Sequence, residues 1–179
     1  PFHSFWFTIN TIMPLISWMQ VVYTPDPNDA KTILEIIKHT KVTSITSTPT
    51  FLKMILSLAQ VWDLDSIRYV VVWAEKCPDE VFKKFSELCP NWKILEGYWI
   101  TECSPVISIN PLENPKPWTV WRILPNLSCK IFDLERKEEL SKLDQWMIYI
   151  YWSSVFNWYL DDKLESPFEE INWNLSLIH

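Results

Sequence analysis

The chain is 179 residues long, with a formal net charge of −6 and an isoelectric point near 5.1. An acidic chain with no run of basic residues argues against a nucleic-acid surface, and the length suits one domain with a real core or a piece of a larger one. One feature of the composition is abnormal: Gly 1 against Trp 12, where average usage of about 7% would supply roughly a dozen glycines.

Residues 2–23 are rich in apolar side chains but include His3, Asn10, Pro14 and Gln20, so no clean apolar run of about 18 residues spans a membrane. No basic segment followed by a small-residue cleavage site marks a secretory leader. Asp26-Pro27-Asn28-Asp29 predicts a helix start, with Asp26 as cap, Pro27 in the first turn and Asp29 near the positive end of the dipole. Ala30, Ile33, Leu34 and Ile37 then share one apolar face. The β-branched run KVTSITS (41–47) predicts a strand, and Thr48-Pro49 opens a second helix that buries Leu52, Ile55, Leu56 and Ala59. IRYVVV (67–72) is a continuous apolar run, as expected of a central parallel strand covered on both faces. CPDEVFKKFSEL follows as a third helix with Val81, Phe85 and Leu88 on one side, and KILE (93–96) as the next strand.

Strands alternating with helices imply a parallel sheet with right-handed crossovers, whose ligands bind outside the carboxyl ends of the strands. Two segments leave such ends: WAEKC (73–77) and GYWITECSP (97–105). After the Pro-rich connector 110–117 the pattern changes. LSCKIFDL (127–134) and MIYIY (147–151) alternate as antiparallel strands do, and the charged stretch between them reads as a solvated hairpin loop. Cys77, Cys89, Cys103 and Cys129 show neither C-x-x-C pairing nor a histidine at metal spacing, and read as reduced residues of a cytosolic protein. The chain starts without Met and stops in mid-pattern, which predicts a fragment.

The tryptophans stand where glycines are wanted. Trp118 and Trp121 in NPKPWTVW, Trp158 in VFNWYL and Trp173 in EINWN fill turn positions, and Trp73 and Trp99 sit in the two loops at the strand ends. Only glycine reaches positive φ freely, so Pro-Trp and Asn-Trp are poor turn dipeptides where Pro-Gly and Asn-Gly are good ones. A code in which UGA specifies glycine, read with a table that gives tryptophan, produces this pattern, with Gly97 encoded by an ordinary glycine codon. Read literally, the same residues describe an aromatic-rich module that stacks sugars or hydrophobic ligands.

With glycine at the tryptophans, residues 97–102 read G-Y-G-I-T-E. This resembles the Y-G-x-T-E motif of the adenylate-forming (AMP-binding) superfamily, which contains acyl-CoA synthetases, luciferases and peptide-synthetase adenylation domains. PFHSFWF is similar to the family's P-x-F-H-x-x-G segment, and VVVWAEKCP to the GAEK form of its adenine-side loop. KPWTVWRILPN resembles K-P-G-T-V-G-x-P-L-P-G, and WMIYIYWSSVFNWYL resembles G-E-I-x-V-R-G-x-x-x-x-x-G-Y. Trp6, Trp73, Trp99, Trp118, Trp121, Trp152 and Trp158 fall on family glycines. The GAEK loop and SITSTPTFL look most like long-chain acyl ligases related to acyl-acyl-carrier-protein synthetases and 2-acylglycerophosphoethanolamine acyltransferases.

The resemblance implies an α/β fold: a fragment of the large N-terminal domain, with a parallel part over 1–117 and an antiparallel, barrel-like part over 118–179. It implies a two-step reaction in which ATP and a fatty acid give an acyl-adenylate, and the thiol of CoA or of a carrier protein's phosphopantetheine takes the acyl group. Glu102 matches the glutamate that holds Mg²⁺, a hard ion suited to carboxylate oxygen, and Thr101 the threonine that hydrogen-bonds phosphate. Gly97, Tyr98 and Trp99 match the segment against adenine, Tyr98 being the stacking aromatic, and Ala74 and Glu75 match the loop along its edge. His3 matches the histidine lining the acyl and thiol channel, and Thr48 and Thr50 border the acyl pocket. Read on the residues alone, Glu75 is also a cap for the following helix, Tyr98 a packing residue, and Asp161-Asp162 a solvated acidic loop. The phosphate loop, the ribose-binding T-G-D motif and the domain with the catalytic lysine are not in this sequence, so the chain by itself is expected to be inactive. A relative that has lost catalysis is a further alternative. A cytosolic location at or near the inner face of the membrane accompanies the resemblance.

Overall fold

The computed structural model describes residues 3–120, 122–125, 127–133, 146–151, 153, 155, 156, 159, 168–171 and 174–178. The chain enters through a helical stretch made of α1 (Ser4–Phe7), a π-helical turn (Thr8–Ile12) and α2 (Met13–Ile16). Then come α3 (Ala30–Thr40), β1 (Ser44–Ser47), α4 (Pro49–Leu58), a 3₁₀ turn (Val61–Leu64), β2 (Tyr69–Val72), α5 (Asp79–Leu88) and β3 (Lys93–Trp99). A second 3₁₀ turn (Thr101–Cys103) precedes β4 (Val106–Ile109), and β5 (Ser128–Asp133), β6 (Trp146–Tyr151), β7 (Phe168–Ile171) and β8 (Asn174–Ile178) complete the described elements.

The first sheet has the order β1-β2-β3-β4, with β1–β2 and β2–β3 parallel and β3–β4 antiparallel. In register, Ile45, Val70 and Ile94 lie side by side and face α3, α4 and α5, whose Leu34, Ile37, Leu52, Leu56, Val81 and Phe85 complete the larger core. The alternate residues Thr46, Val71 and Leu95 face the other way. There the Thr46 hydroxyl donates to Asn10 Oδ1 at 2.9 Å and ties the first helical stretch to β1. Val70, Val71 and Val72 are all buried, as their unbroken apolar run demands. The second sheet is antiparallel, in the order β5-β6-β8-β7. A smaller core of Ile100, Cys103 and Ile107 with Ile150 and Phe168 joins residues around β4 to the second sheet.

Two expectations need correction. The cap of α3 is Asp29, whose carboxylate accepts from Thr32 N and the Thr32 hydroxyl. Asp26 instead accepts from Asn28 N and folds the turn before it, because Pro27 sits too early for a helix beginning at Ala30. Residues 97–99 are not loop: β3 runs on through Trp99 because β4, unread in the sequence, supplies an antiparallel partner. The segment 133–144 expected as a hairpin loop lies, beyond Asp133, outside the described residues, as do Trp121, Trp152, Trp158, Trp173 and Asp161-Asp162.

Trp118 meets the glycine expectation, with φ 58°, and Trp18 does so too, with φ 53°. Such a backbone costs a Cβ-bearing residue about 1–3 kcal/mol. Trp73 and Trp99 have ordinary φ, so strain at those positions must come from their rings. The stretch after α1 also exposes Leu15 (69%), Ile16 (73%) and Trp18 (95%). Among the described residues no helix is long and apolar enough to cross a membrane.

One buried charge is held by two devices. Asp63 accepts from Gln60 N in a capping box and lies 2.6 Å from Lys38 Nζ. The Lys38 ammonium holds the Asp63 carboxyl below its usual range against the opposing effect of burial. A carboxyl lowered in the folded state contributes stability above its unfolded pKa and loses it as pH falls through the folded one. Asp63→Asn should therefore lower the thermal midpoint at pH 7, and the gap from the parent should close as the buffer is taken through the acid range. A gap independent of pH would refute the ion pair as its cause.

Candidate active site

Register sets the geometry of the site. Val72 pairs with Glu96, so Trp73, as it leaves the end of β2, lies beside Gly97, from which β3 continues to Trp99. The 73–75 turn passes through Ala74 at φ 73°, and Glu75 then reaches back to α4. Its Oε1 accepts from Thr50 N at 3.1 Å and from the Thr50 hydroxyl at 2.7 Å. Glu75 thus helps cap the preceding helix, not the following one, whose N-terminus begins at Pro78 without a side-chain cap. Thr48 caps the same helix through Phe51 N. Both threonines expected at the acyl pocket therefore work, in this structure, at the start of α4.

The start of α1 joins these strand ends from the third side. His3 Nδ1 accepts from Phe5 N at 3.2 Å, and the Ser4 and Thr101 hydroxyls lie 2.9 Å apart. Phe5, fully buried, stacks on Trp73 at 4.2 Å and meets Trp99 edge-on at 4.5 Å. His3 and Trp6 lie 5.1 and 5.9 Å from the Trp73 ring. Five rings thus cluster between the α1 start, the 73–75 turn and the end of β3, with Phe5 and Trp73 buried and His3 at the exposed edge. This packing leaves polar atoms unpaired: the indole nitrogens of Trp73 and Trp99 are buried without a hydrogen-bond partner, at a cost of about 1–3 kcal/mol each. The Trp99 ring folds back over Gly97, where an added Cβ would stand 2.5 Å from it.

Thr101 and Glu102 follow on the 3₁₀ turn, closed by Ser104 at φ 64°. The half-buried Glu102 is fixed by residues that follow β6: its carbonyl accepts from Phe156 N at 2.9 Å, and its Oε1 from the Tyr159 hydroxyl at 2.7 Å. That hydrogen bond raises the Tyr159 phenol pKa and keeps it a donor. Tyr98, the expected stacking residue, is half-buried against the second core, and burial pushes its phenol up to about 12.

Burial likewise pushes the thiols of Cys77 and Cys103 up to about 12 and of Cys89 to about 11. None of the four cysteines forms a disulfide, and these three stay thiols at neutral pH, unsuited as nucleophiles. Among the described residues no group of three His, Cys, Asp or Glu side chains could cage a metal. The one carboxylate of Glu102 still fits Mg²⁺, which keeps its waters and is held by one or two carboxylates together with substrate phosphate.

The sequence reading missed four residues that shape the site. Ser4 and Tyr159 meet Thr101 and Glu102, and Tyr159 could have been found as the last letter of the G-Y motif. Glu96 and Asn110 bind the Pro-rich connector to the end of β3. The buried Glu96 carboxylate accepts from Trp118 N, and Asn110 Nδ2 donates to the carbonyls of Lys116 (3.0 Å) and Thr119 (2.7 Å). Desolvation raises the Glu96 pKa, opposed by the hydrogen bonds it accepts from backbone.

Known proteins match this arrangement of loops and strands. Residues 1–160 match the family described as AMP-binding enzyme. The chain belongs to the AMP-binding enzyme family. An acyl-CoA ligase of the fungus Glarea lozoyensis is 23% identical over 150 residues, covering 81% of this chain and 26% of its own. The long-chain-fatty-acid–CoA ligase of Haemophilus influenzae is 26% identical over 133 residues, covering 73% of this chain and 24% of its own. The chain thus spans about a quarter of the length of these relatives. The apo structure of MatB from Rhodopseudomonas palustris superposes with a TM-score of 0.84 at 21% identity, over 98% of this chain and 35% of that one. The fold is therefore that of part of the N-terminal domain of an adenylate-forming enzyme.

Proposed function

We propose that the complete protein activates a fatty acid with ATP and passes the acyl group to the thiol of CoA or of an acyl carrier protein. The observation that carries this reading is the meeting of Ser4, Thr101 and Glu102 at the carboxyl ends of two parallel strands, next to the 73–75 turn. A carboxylate oxygen of the acid attacks the α-phosphorus of ATP, the bond to pyrophosphate breaks, and an acyl-adenylate remains. The acceptor sulfur then attacks the acyl carbon and AMP leaves. Thr101 and Ser4 offer hydroxyls to phosphate oxygens. Glu102, aimed by Tyr159, would hold Mg²⁺, which neutralises charge growing on the phosphates. The buried thiols of this chain make an external thiol acceptor the natural one. The long-chain acid is supported by the Haemophilus influenzae relative's name and by the GAEK-like turn. The carrier-protein alternative and a cytosolic site near the membrane rest on the sequence resemblance.

Thioester formation tests the reading. The complete gene product, given ATP, Mg²⁺ and fatty acids of several lengths, should consume CoA or carrier-protein thiol and release AMP. AMP release with no acid dependence would contradict it. The isolated 179-residue chain should show no ATP–pyrophosphate exchange with any acid, and measurable exchange would show that the rest of the domain is dispensable.

A further inference from the structure

We infer that the working protein carries glycine where this sequence has Trp18, Trp73, Trp99 and Trp118, the codons being UGA read as glycine. The structure supplies two kinds of conflict at these residues, and glycine removes both. Trp18 and Trp118 have φ of 53° and 58°, in the left-handed region that glycine enters freely. Trp18 gains almost no burial in exchange, being 95% exposed, and Trp118 is 53% exposed with an edge-on contact to Phe82 at 6.2 Å. A ring almost wholly in water at positive φ, as at Trp18, has no packing reason to be there, and one edge contact is a small return at Trp118.

Trp73 and Trp99 conflict in another way. Their φ angles are ordinary, yet each indole N–H is buried with no acceptor, whereas a buried tryptophan ordinarily finds one. The two rings, with Phe5 between them, occupy the space enclosed by the strand ends and α1. On the functional reading above, on which this part of the inference rests, that space belongs to substrate. The Trp99 ring also lies so close over Gly97 that a Cβ there would force the ring to shift. A single change of identity thus accounts for strained turns, exposed indoles, unpaired buried N–H groups, a filled cleft and a glycine count of 1 in 179 residues. Tryptophan at these positions would need a separate reason for each.

The test reads the gene and the protein independently of activity. The four codons are sequenced, and peptides covering residues 18, 73, 99 and 118 are taken from the protein purified from its own source and sequenced by mass spectrometry. UGA codons with the mass of glycine at all four positions are expected. UGG codons, or a tryptophan mass at any of the four, overturn the inference. Glycine in a protein that forms no thioester would remove the functional reading and leave this one standing. Tryptophan in a protein that does form thioester would do the reverse.

Discussion

Replacing Glu102 by glutamine in the complete protein is expected to reduce acyl-adenylate formation by about 100-fold or more, with little change in thermal stability. Two separate contacts explain the contrast. The Glu102 carbonyl accepts from Phe156 N, and substitution of the side chain leaves that link between the 3₁₀ turn and the chain after β6 in place. The carboxylate meets Tyr159, and glutamine still offers an oxygen to that hydroxyl. What glutamine removes is the negative charge, and with it the hard donor that would hold Mg²⁺ against the phosphates. The loss should appear in the rate at saturating substrate and be partly relieved by high Mg²⁺. A variant that retains activity within about tenfold would place the metal ligand elsewhere. Tyr159→Phe, which removes the hydrogen bond but not the charge, should raise the Mg²⁺ concentration needed for half-maximal rate and leave the folded state intact.

The second large effect concerns the rings in the cleft. If the complete protein is made with tryptophan at 73 and 99, it should bind no ATP and form no adenylate, and Trp73→Gly with Trp99→Gly together should restore both. The two indoles stack on and abut the buried Phe5, so removing one leaves the other in the space; the single variants should recover much less than the pair. Removal of each ring also removes a buried, unpaired N–H, which offsets part of the packing lost with it. Equal activity in the tryptophan and glycine forms would show that the cleft lies clear of these rings.

Much of this fold is legible in the sequence because local signals and burial agree. Within the run at 67–72, Val70, Val71 and Val72 are apolar without interruption, and Tyr69–Val72 forms the inner strand of a parallel group. Leu52, Ile55, Leu56 and Ala59 follow helical spacing, and all four are buried. Where tertiary pairing decides, the sequence is silent. Gly97 to Trp99 look like a loop since they follow a short apolar strand, and only the antiparallel partner at Val106–Ile109 makes them strand. Asp26 reads as the cap because it precedes Pro27, and the fold gives that role to Asp29, whose carboxylate reaches Thr32 N.

The site divides along the same line. Thr101 and Glu102 were readable because a motif fixes their spacing. Ser4 and Tyr159 come from 97 and 57 residues away in the chain; the G-Y motif singles out Tyr159, but nothing local pairs it with Glu102 or Ser4 with Thr101. Glu75 shows the reverse case: its type and place suit either a cap of the next helix or a ligand contact, and the fold turns it back to Thr50.

The central claim, that these strand ends activate an acid with ATP, is tested most directly by ATP–pyrophosphate exchange. The complete protein purified from its own source would be incubated with ATP, Mg²⁺, labelled pyrophosphate and a series of carboxylic acids, beside its Glu102→Gln variant. The account predicts acid-dependent exchange by the parent, loss on removing Mg²⁺, and near-background exchange by the variant. A folded parent that exchanges with no acid, or a variant that exchanges as well as the parent, would contradict it.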